Sequence, residues 1–303
     1  MAIMTVQAII NGTTYTLAYN SDTGMYEAEI TAPTKSSYNI NSGRYYPVTV
    51  KAADDAGNTD VVDDTNSKLG DSCKLYVKEI TKPVISITSP TEDELTTNSR
   101  PIVNWNVTDD DSGVNPETIG LAINNGEKIT SGITKTPITG GYKCTYAIPD
   151  DLQDGTNTIK CNADDFDGNT AVQRSVSFVV DTVPPSLSVT SPENNLITNN
   201  KNITVAGRSS DTTSPPVKVS VKLNNDVGQD VTVGSNGEFS TTLTLADGQN
   251  TIIVTATDAA GKTSEVMRIV TIDMKAPVIS EITIPELVSV GEVFKISVKV
   301  TDQ

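Results

Sequence analysis

Thr251-Ile-Ile-Val-Thr-Ala-Thr-Asp-Ala-Ala-Gly-Lys262 decides the fold. Ile252, Val254 and Ala256 fall on one side of a period-2 strand, and Thr251, Ile253 and Thr255 fall on the other. The strand runs into an Asp/Gly turn, the usual punctuation of β structure. The stretch recurs as Val48-Thr-Val-Lys-Ala-Ala-Asp-Asp-Ala-Gly-Asn58 and as Thr158-Ile-Lys-Cys-Asn-Ala-Asp-Asp-Phe-Asp-Gly-Asn169. A threefold internal repeat of strands, with no long helical pattern competing, predicts an all-β array.

Each copy is followed by one more strand and a proline-marked junction: Lys82-Pro-Val-Ile-Ser-Ile-Thr-Ser-Pro90, Pro184-Pro-Ser-Leu-Ser-Val-Thr-Ser-Pro192 and Ala276-Pro-Val-Ile-Ser-Glu-Ile-Thr-Ile-Pro285. Proline lacks an N–H and fixes φ, so it suits the entry to an edge strand and stiffens a linker. Ile10-Asn-Gly12, Ile123-Asn-Asn-Gly126 and Leu223-Asn-Asn225 supply hairpin turns. An aromatic residue stands two places after a glycine at Tyr26, Tyr142 and Phe239. Roughly seven short strands per hundred residues predict tandem Ig-like β-sandwiches in an extended rod. The expected divisions are 1–81, 82–182, 183–274 and 275–303.

The third repeat carries Thr190-Ser-Pro192, Val205-Ala-Gly207, Gly237-Glu-Phe239, Asp247-Gly-Gln-Asn-Thr251 and Thr257-Asp-Ala-Ala-Gly261. The second carries Val107-Thr-Asp-Asp-Asp-Ser-Gly-Val114. On these marks the chain resembles bacterial and phage Ig-like repeat modules over nearly its whole length. The resemblance implies a sandwich fold and a structural or adhesive role, of the kind found in virion and tail-associated proteins of Gram-positive prophages. It is weak for function, because such modules serve as spacers, adhesins and polymer building blocks alike.

Composition narrows the function classes. The 303 residues carry 22 Lys+Arg against 38 Asp+Glu, a net charge of −16. Nucleic acid and anionic membranes both need a basic footprint, so neither is an expected partner. The chain contains no histidine, which removes the Ser-His-Asp triad, the Cys-His dyad and His-ligated zinc together. The expectation is a non-enzymatic protein. No run approaches a membrane span, and the stretch Met1 to Val6 lacks the basic and apolar regions of a secretory signal. A virion or other extracellular particle released by lysis is the expected location, with the cell surface as the alternative. Cys73, Cys144 and Cys161 lack C-x-x-C spacing. They read as buried free thiols, although Cys144 and Cys161 lie on neighbouring segments of one domain and a bond between them stays open.

The repeats begin and end out of phase. Strands A and B of the second repeat, about Val84 to Val107, precede the strand carrying Ile119 to Ile123. The first repeat starts at the equivalent of that third strand, Val6 to Ile10. Residues 275–303 supply an A strand, Val278 to Ile284, and a B strand, Phe294 to Val300, and stop where the third strand is due. Residues 1–81 and 275–303 together number 110, close to one repeat. The incomplete terminal domains thus complement each other. Donation to a neighbouring copy would place Phe294, Ile296, Val298 and Val300 against Val48, Val50, Tyr26 and Ile30, giving a head-to-tail fibre. Folding back within one chain, excision from a longer array, and pairing of the two halves with different partner proteins are the alternatives. The methionine at the seam favours donation.

Two further sites are expected. Asp109, Asp110 and Asp111 lie between strands B and C of the second repeat, and Asp164, Asp165 and Asp167 between F and G. In an Ig-like topology these loops are neighbours, and calcium takes six to eight oxygens. The alternative is that Asp simply suits turns. Tyr38, Tyr45 and Tyr46 sit in a long segment of the first repeat and are the candidates for a ligand-contacting loop. A bacterial surface polysaccharide is the ligand class considered, with edge-strand or core tyrosines as the alternative. The leading expectation for function is a structural or adhesive protein of a phage-like particle, partnering itself or other virion proteins. A cell-surface adhesin or S-layer spacer, and an accessory module of a polysaccharide-acting enzyme, are the alternatives. Apart from calcium no cofactor is expected.

Overall fold

The protein is described by a computed structural model covering residues 2–302. It is almost entirely β, and its chain divides into two compact units, 1–180 and 181–303. The second unit therefore opens two residues before the division expected at 183.

The first segment contains β1 (Ile3–Ile10), β2 (Thr13–Asn20), β3 (Met25–Glu27), β4 (Tyr46–Asp54), β5 (Thr59–Val62), one 3-10 turn at Gly70–Cys73 and β6 (Lys74–Leu75). They form one sheet in the order β3-β2-β1-β4-β5, with β6 on β4. Val6, Ala8 and Ile10 are buried at alternate positions of β1, as the period-2 pattern requires.

The second segment contains β7 (Val84–Ser89), β8 (Leu95–Thr96), β9 (Ile102–Thr108), β10 (Val114–Ile123), β11 (Thr134–Ile138), β12 (Gly141–Ala147), β13 (Gly155–Asp165) and β14 (Arg174–Val180). Two sheets, β10-β13-β14-β8 and β11-β12-β9-β7, enclose one apolar core. Val103, Trp105 and Val107 of β9 face Ile159, Cys161 and Phe178 of the opposite sheet within it, all fully buried. This is an Ig-like β-sandwich.

The third segment repeats the plan with β15 (Ser186–Ser191), β16 (Leu196–Thr198), β17 (Asn202–Ser210), β18 (Lys218–Leu223), β19 (Gln229–Val231), β20 (Glu238–Thr244), β21 (Gly248–Thr257) and β22 (Thr263–Ile272). Its sheets are β15-β17-β20 and β16-β22-β21-β18-β19, and Ile252, Val254 and Ala256 are fully buried between them. Gly207 of β17 lies so close to β15 that a Cβ there would stand 2.1 Å from the Ser188 carbonyl oxygen, so only glycine fits.

The chain continues into β23 (Val278–Thr283) and β24 (Ser297–Thr301), which among the described residues pair only with each other. The B strand expected from Phe294 takes up regular pairing only from Ser297. Every residue from Met274 to Asp302 is exposed, including Phe294 and Ile296. Among the described residues the two core clusters lie in the second and third segments; neither includes residues of the first segment or of this hairpin.

The strand registers of the three repeats can be aligned. Ile10 pairs with Val48, Ile123 with Ile159 and Leu223 with Ile252. Each of the three strands is followed by an asparagine at positive φ: Asn11, Asn124 and Asn224. Strand β1 is thus the counterpart of β10 and β18, and β4 that of β13 and β21. Among the described residues the first segment holds only the sheet built from these strands. Strand β3, which follows Gly24 as β12 follows Gly140 and β20 follows Gly237, has no counterpart of β9 or β17 beside it. It pairs with β2 for three residues, and residues 28–33 form no strand.

Candidate functional site

Strands β9 and β13, on opposite sheets of the second sandwich, lead into Asp109 and Asp165 and bring them together. The chain entering that sandwich adds Glu79. One carboxylate oxygen from each lies within 4.8 Å of the others. Backbone donors order the group. Asp109 Oδ1 accepts from the N–H groups of Asp111 and Gly113 at 3.1 and 2.7 Å. Asp165 Oδ1 accepts from Asn169 N at 2.8 Å, and its Oδ2 from Asn169 Nδ2 at 2.7 Å. Glu79 Oε1 accepts from Ser112 N at 2.8 Å. Glu79 Oε2 is buried without a hydrogen-bond partner, as is Ser112 Oγ.

Of the six aspartates expected around a cation, only Asp109 and Asp165 therefore belong to this cluster. Asp111 accepts from Ser36 N at 3.0 and 3.1 Å, and Asp167 Oδ2 accepts from Glu79 N at 3.0 Å. These two dock the first segment onto the second sandwich. Asp110 is exposed. Asp164 alternates with Asp165 along β13 and so projects from the other face of the strand. Glu79 escaped the sequence reading because it lies outside both loops. Its signal was its place four residues before Pro83.

The third sandwich holds the same arrangement. Asp181, Asp211 and Asp258 place one carboxylate oxygen each within 4.8 Å of the others. Asp181 stands four residues before Pro185, Asp211 follows β17, and Asp258 follows β21. Asp211 Oδ1 accepts from Thr213 N and Ser214 N, both at 2.8 Å. Asp181 accepts from Val183 N at 3.2 Å and from the Ser214 hydroxyl. Asp258 Oδ1 accepts from Lys262 N at 2.8 Å. Its Oδ2 is buried and unpartnered, because Lys262 stands where the second sandwich has Asn169.

The three tyrosines of the long first-segment loop make contacts within the protein. Tyr46 is 1% exposed, and its hydroxyl donates to the Lys35 carbonyl at 3.2 Å. Tyr45 donates to Asp64 Oδ2 at 2.7 Å, and that acceptor holds its phenol above the ordinary range. Tyr38 stacks on Phe166 with centroids 4.3 Å apart, and the Arg44 guanidinium lies 4.0 Å from the same ring. No free ring face remains for a sugar at Tyr38. The thiols are all free and buried. Among the described residues no helix is long and apolar enough to cross a membrane.

The family model for glucodextranase domain B matches residues 185–274, the third sandwich. Bacillopeptidase F of Bacillus subtilis is 30% identical over 197 residues, which are 65% of this chain and 12% of that protein. The chain thus spans a small part of the length of that relative. Among solved structures, the fibronectin(III)-like modules of Clostridium thermocellum CbhA are 17% identical, covering 62% of this chain and 94% of that one with a TM-score of 0.34. A tandem-domain fragment of titin is 12% identical, covering 88% of each chain with a TM-score of 0.38. Similarity to that family model is confined to the third sandwich.

Proposed function

We propose that the protein is a non-catalytic structural or adhesive repeat array that extends head to tail, the hairpin β23–β24 of one copy completing the first segment of the next. The observation that carries this reading is the unpaired stretch after β3. In the second sandwich Tyr142, Cys144 and Tyr146 of β12 lie opposite Val107, Trp105 and Val103 of β9. Repeat alignment makes Tyr26, Ala28 and Ile30 the equivalents of the first three. It makes Val300, Val298 and Ile296 the equivalents of the second three. A donated hairpin would therefore set Tyr26 opposite Val300, Ala28 opposite Val298 and Ile30 opposite Ile296. Strand β23 would then lie outside β24, as β7 lies outside β9. Phe294, Ile296, Val298 and Val300 would leave water together, each contributing about 1.5–3 kcal/mol against the entropy of association.

In its finer form the reading is a tail, fibre or decoration component of a phage-like particle. The Ig-like repeat resemblance supports that setting. The match of residues 185–274 to glucodextranase domain B supports a second setting, an accessory arm beside a polysaccharide-acting domain. In both settings the array is a spacer.

The test is deletion of residues 275–303. The variant should be monomeric, with a destabilised first segment and the second and third sandwiches folded. A peptide of residues 275–303 should restore the first segment and cap growth of the full-length assembly seen by electron microscopy. A full-length protein that is monomeric at all concentrations, or a deletion variant with an unchanged first segment, overturns the model.

A further inference from the structure

Glu79, Asp109 and Asp165 in one sandwich and Asp181, Asp211 and Asp258 in the next occupy equivalent places. Each triad combines the residue four before the junction proline, the residue just after the B strand and a residue at or just after the end of the F strand. Turn chemistry alone asks for none of this convergence. Four of the six carboxylates are strongly buried: Asp109 is 7% exposed, Asp165 1%, Asp181 0% and Asp258 5%. Among the described residues none of the six is in an ion pair. Three close carboxylates with no basic partner repel one another, and burial removes the water that would screen them.

A second observation points to a missing partner. Asp258 is nineteen-twentieths buried, yet its Oδ2 has no hydrogen bond. In the other triad Glu79 Oε2 is likewise orphaned, and the fully buried Ser112, whose N–H holds the same Glu79 carboxylate, has an orphaned hydroxyl. Buried polar oxygens are rarely left unpaired. The lone pairs left over are oxygen only, without nitrogen or sulfur, which suits a hard cation.

We propose that each of the two sandwiches binds one calcium ion at the point where the chain enters it, through Glu79, Asp109 and Asp165 in the second and Asp181, Asp211 and Asp258 in the third. Three carboxylates give three to six oxygens, and water fills the remaining positions of a six- to eight-fold shell. The ion ties the entering chain to two loops that close the end of the sandwich. Calcium suits this geometry better than magnesium, which demands a small octahedron.

The same repeat phase assigns Asp54, Asp273 and Asp302 as a third triad. Asp54 already has the Asp165 arrangement: its Oδ1 accepts from Asn58 N and its Oδ2 from Asn58 Nδ2, both at 2.8 Å. Asp273 stands four residues before Pro277, and Asp302 closes the hairpin. This third site rests on head-to-tail donation, whereas the first two do not.

Calorimetric titration of the chelator-treated full-length protein with calcium chloride, up to about 10 mM to exceed the weakest range of extracellular modules, is the test. The expected result is two equivalents per chain from the sandwich sites, plus a third wherever copies are joined head to tail, with a melting temperature that rises with calcium. Asp258→Asn keeps the acceptor for Lys262 N and should lose one equivalent; adding Asp165→Asn should lose the other. If these variants melt lower without calcium, the wild-type stoichiometry decides. No calcium uptake, or two equivalents that survive both substitutions, overturns the proposal. A single equivalent abolished by Asp258→Asn overturns the second-sandwich site alone. A third equivalent should appear only in head-to-tail assemblies. Its absence, with two retained, counts against strand donation and leaves the two sandwich sites standing.

Discussion

Asn224 donates from Nδ2 to Asn250 Oδ1 at 3.1 Å, and Asn124 makes the same bond to Asn157 at the same distance one repeat earlier. The backbone follows: Thr251 N donates to Asn224 Oδ1 and Thr158 N to Asn124 Oδ1, both at 2.8 Å. Asn250 is fully buried. Its Nδ2 donates to the carbonyls of Ala246 and Gly248 at 2.7 and 3.0 Å, and its Oδ1 also accepts from Ala246 N at 3.1 Å. One buried amide thereby locks two turns onto β21.

Asn250→Leu, of similar volume, should therefore destabilise the third sandwich. It strands two carbonyls, the Ala246 N–H and the Asn224 amide, at about 1–3 kcal/mol for each group that finds no water. Scanning calorimetry of the full chain should show the third-sandwich transition falling by several degrees, with the second unmoved. A shift under one degree would mean that solvent reaches the site and the network is dispensable.

The stack of Tyr38 on Phe166, with planes 11° apart, joins the first segment to the turn after β13. Aromatic pairs contribute about 0.5–1.5 kcal/mol beyond their buried area. A double-mutant cycle with Tyr38→Ala and Phe166→Ala should give a coupling energy in that range for unfolding of the 1–180 unit. Additivity within error would assign the docking to the hydrogen bonds between the two segments, among them those of Asp111, Asp167 and Glu79.

Much of this was legible beforehand, and the exceptions have physical causes. Strand period and turn residues are local properties, so Thr251 to Lys262 revealed its strand directly and the repeat phase exposed the unpaired strands at both ends. The site is not local. Glu79 and Asp181 look like linker residues until the fold carries them beside Asp109 and Asp258. Asp111 and Asp167 look like ligands until their oxygens are found on the N–H groups of Ser36 and Glu79. Tyr46 occupies the strand position of Asn157 and Asn250, two residues before the paired Val48. A buried aromatic at that place carries no sequence mark that separates it from an exposed one.

The thiols should be inert in the folded protein. Burial pushes Cys144 up to about 11 and Cys161 up to about 12, and Cys73 is also raised by burial. The thiolate is the reactive form, so a disulfide reagent at pH 8 should titrate three thiols only after denaturation. Rapid labelling of Cys144 or Cys161 in native buffer would show that the second sandwich opens far more readily than its packing implies.

Asp151 accepts from Arg100 Nε at 2.8 Å and Nη2 at 3.0 Å, and from Ser99 Oγ at 2.5 Å. The Arg100 hydrogen bonds, then that of Ser99, hold its carboxyl down from 3.8 to about 2. A lowered folded value means that the stabilisation is present above about pH 4 and is lost as pH falls toward 2. The pair is exposed, so its effect on stability is small. NMR titration should find Asp151 well below the ordinary carboxylate range, and Arg100→Gln should return most of the shift. An unchanged titration in that variant would shift the cause to Ser99.

Head-to-tail donation fixes a register, and a register can be trapped. Ala28 and Val298 should face each other across copies, as Cys144 faces Trp105 within the second sandwich. Directly opposed residues of an antiparallel pair have Cβ atoms about 4.5–5.5 Å apart, near enough for a disulfide after small adjustment. The double variant Ala28→Cys, Val298→Cys should give a ladder of covalent oligomers on mild oxidation, while the buried native thiols stay out of the reaction. Moving the second cysteine to Lys299 turns its side chain to the opposite face of the strand, so that variant should give little ladder. A crosslinked monomer from the first variant would mean that the hairpin folds back within its own chain. Equal ladders from both would mean unspecific contact. Either result would remove the registered strand as the link between copies.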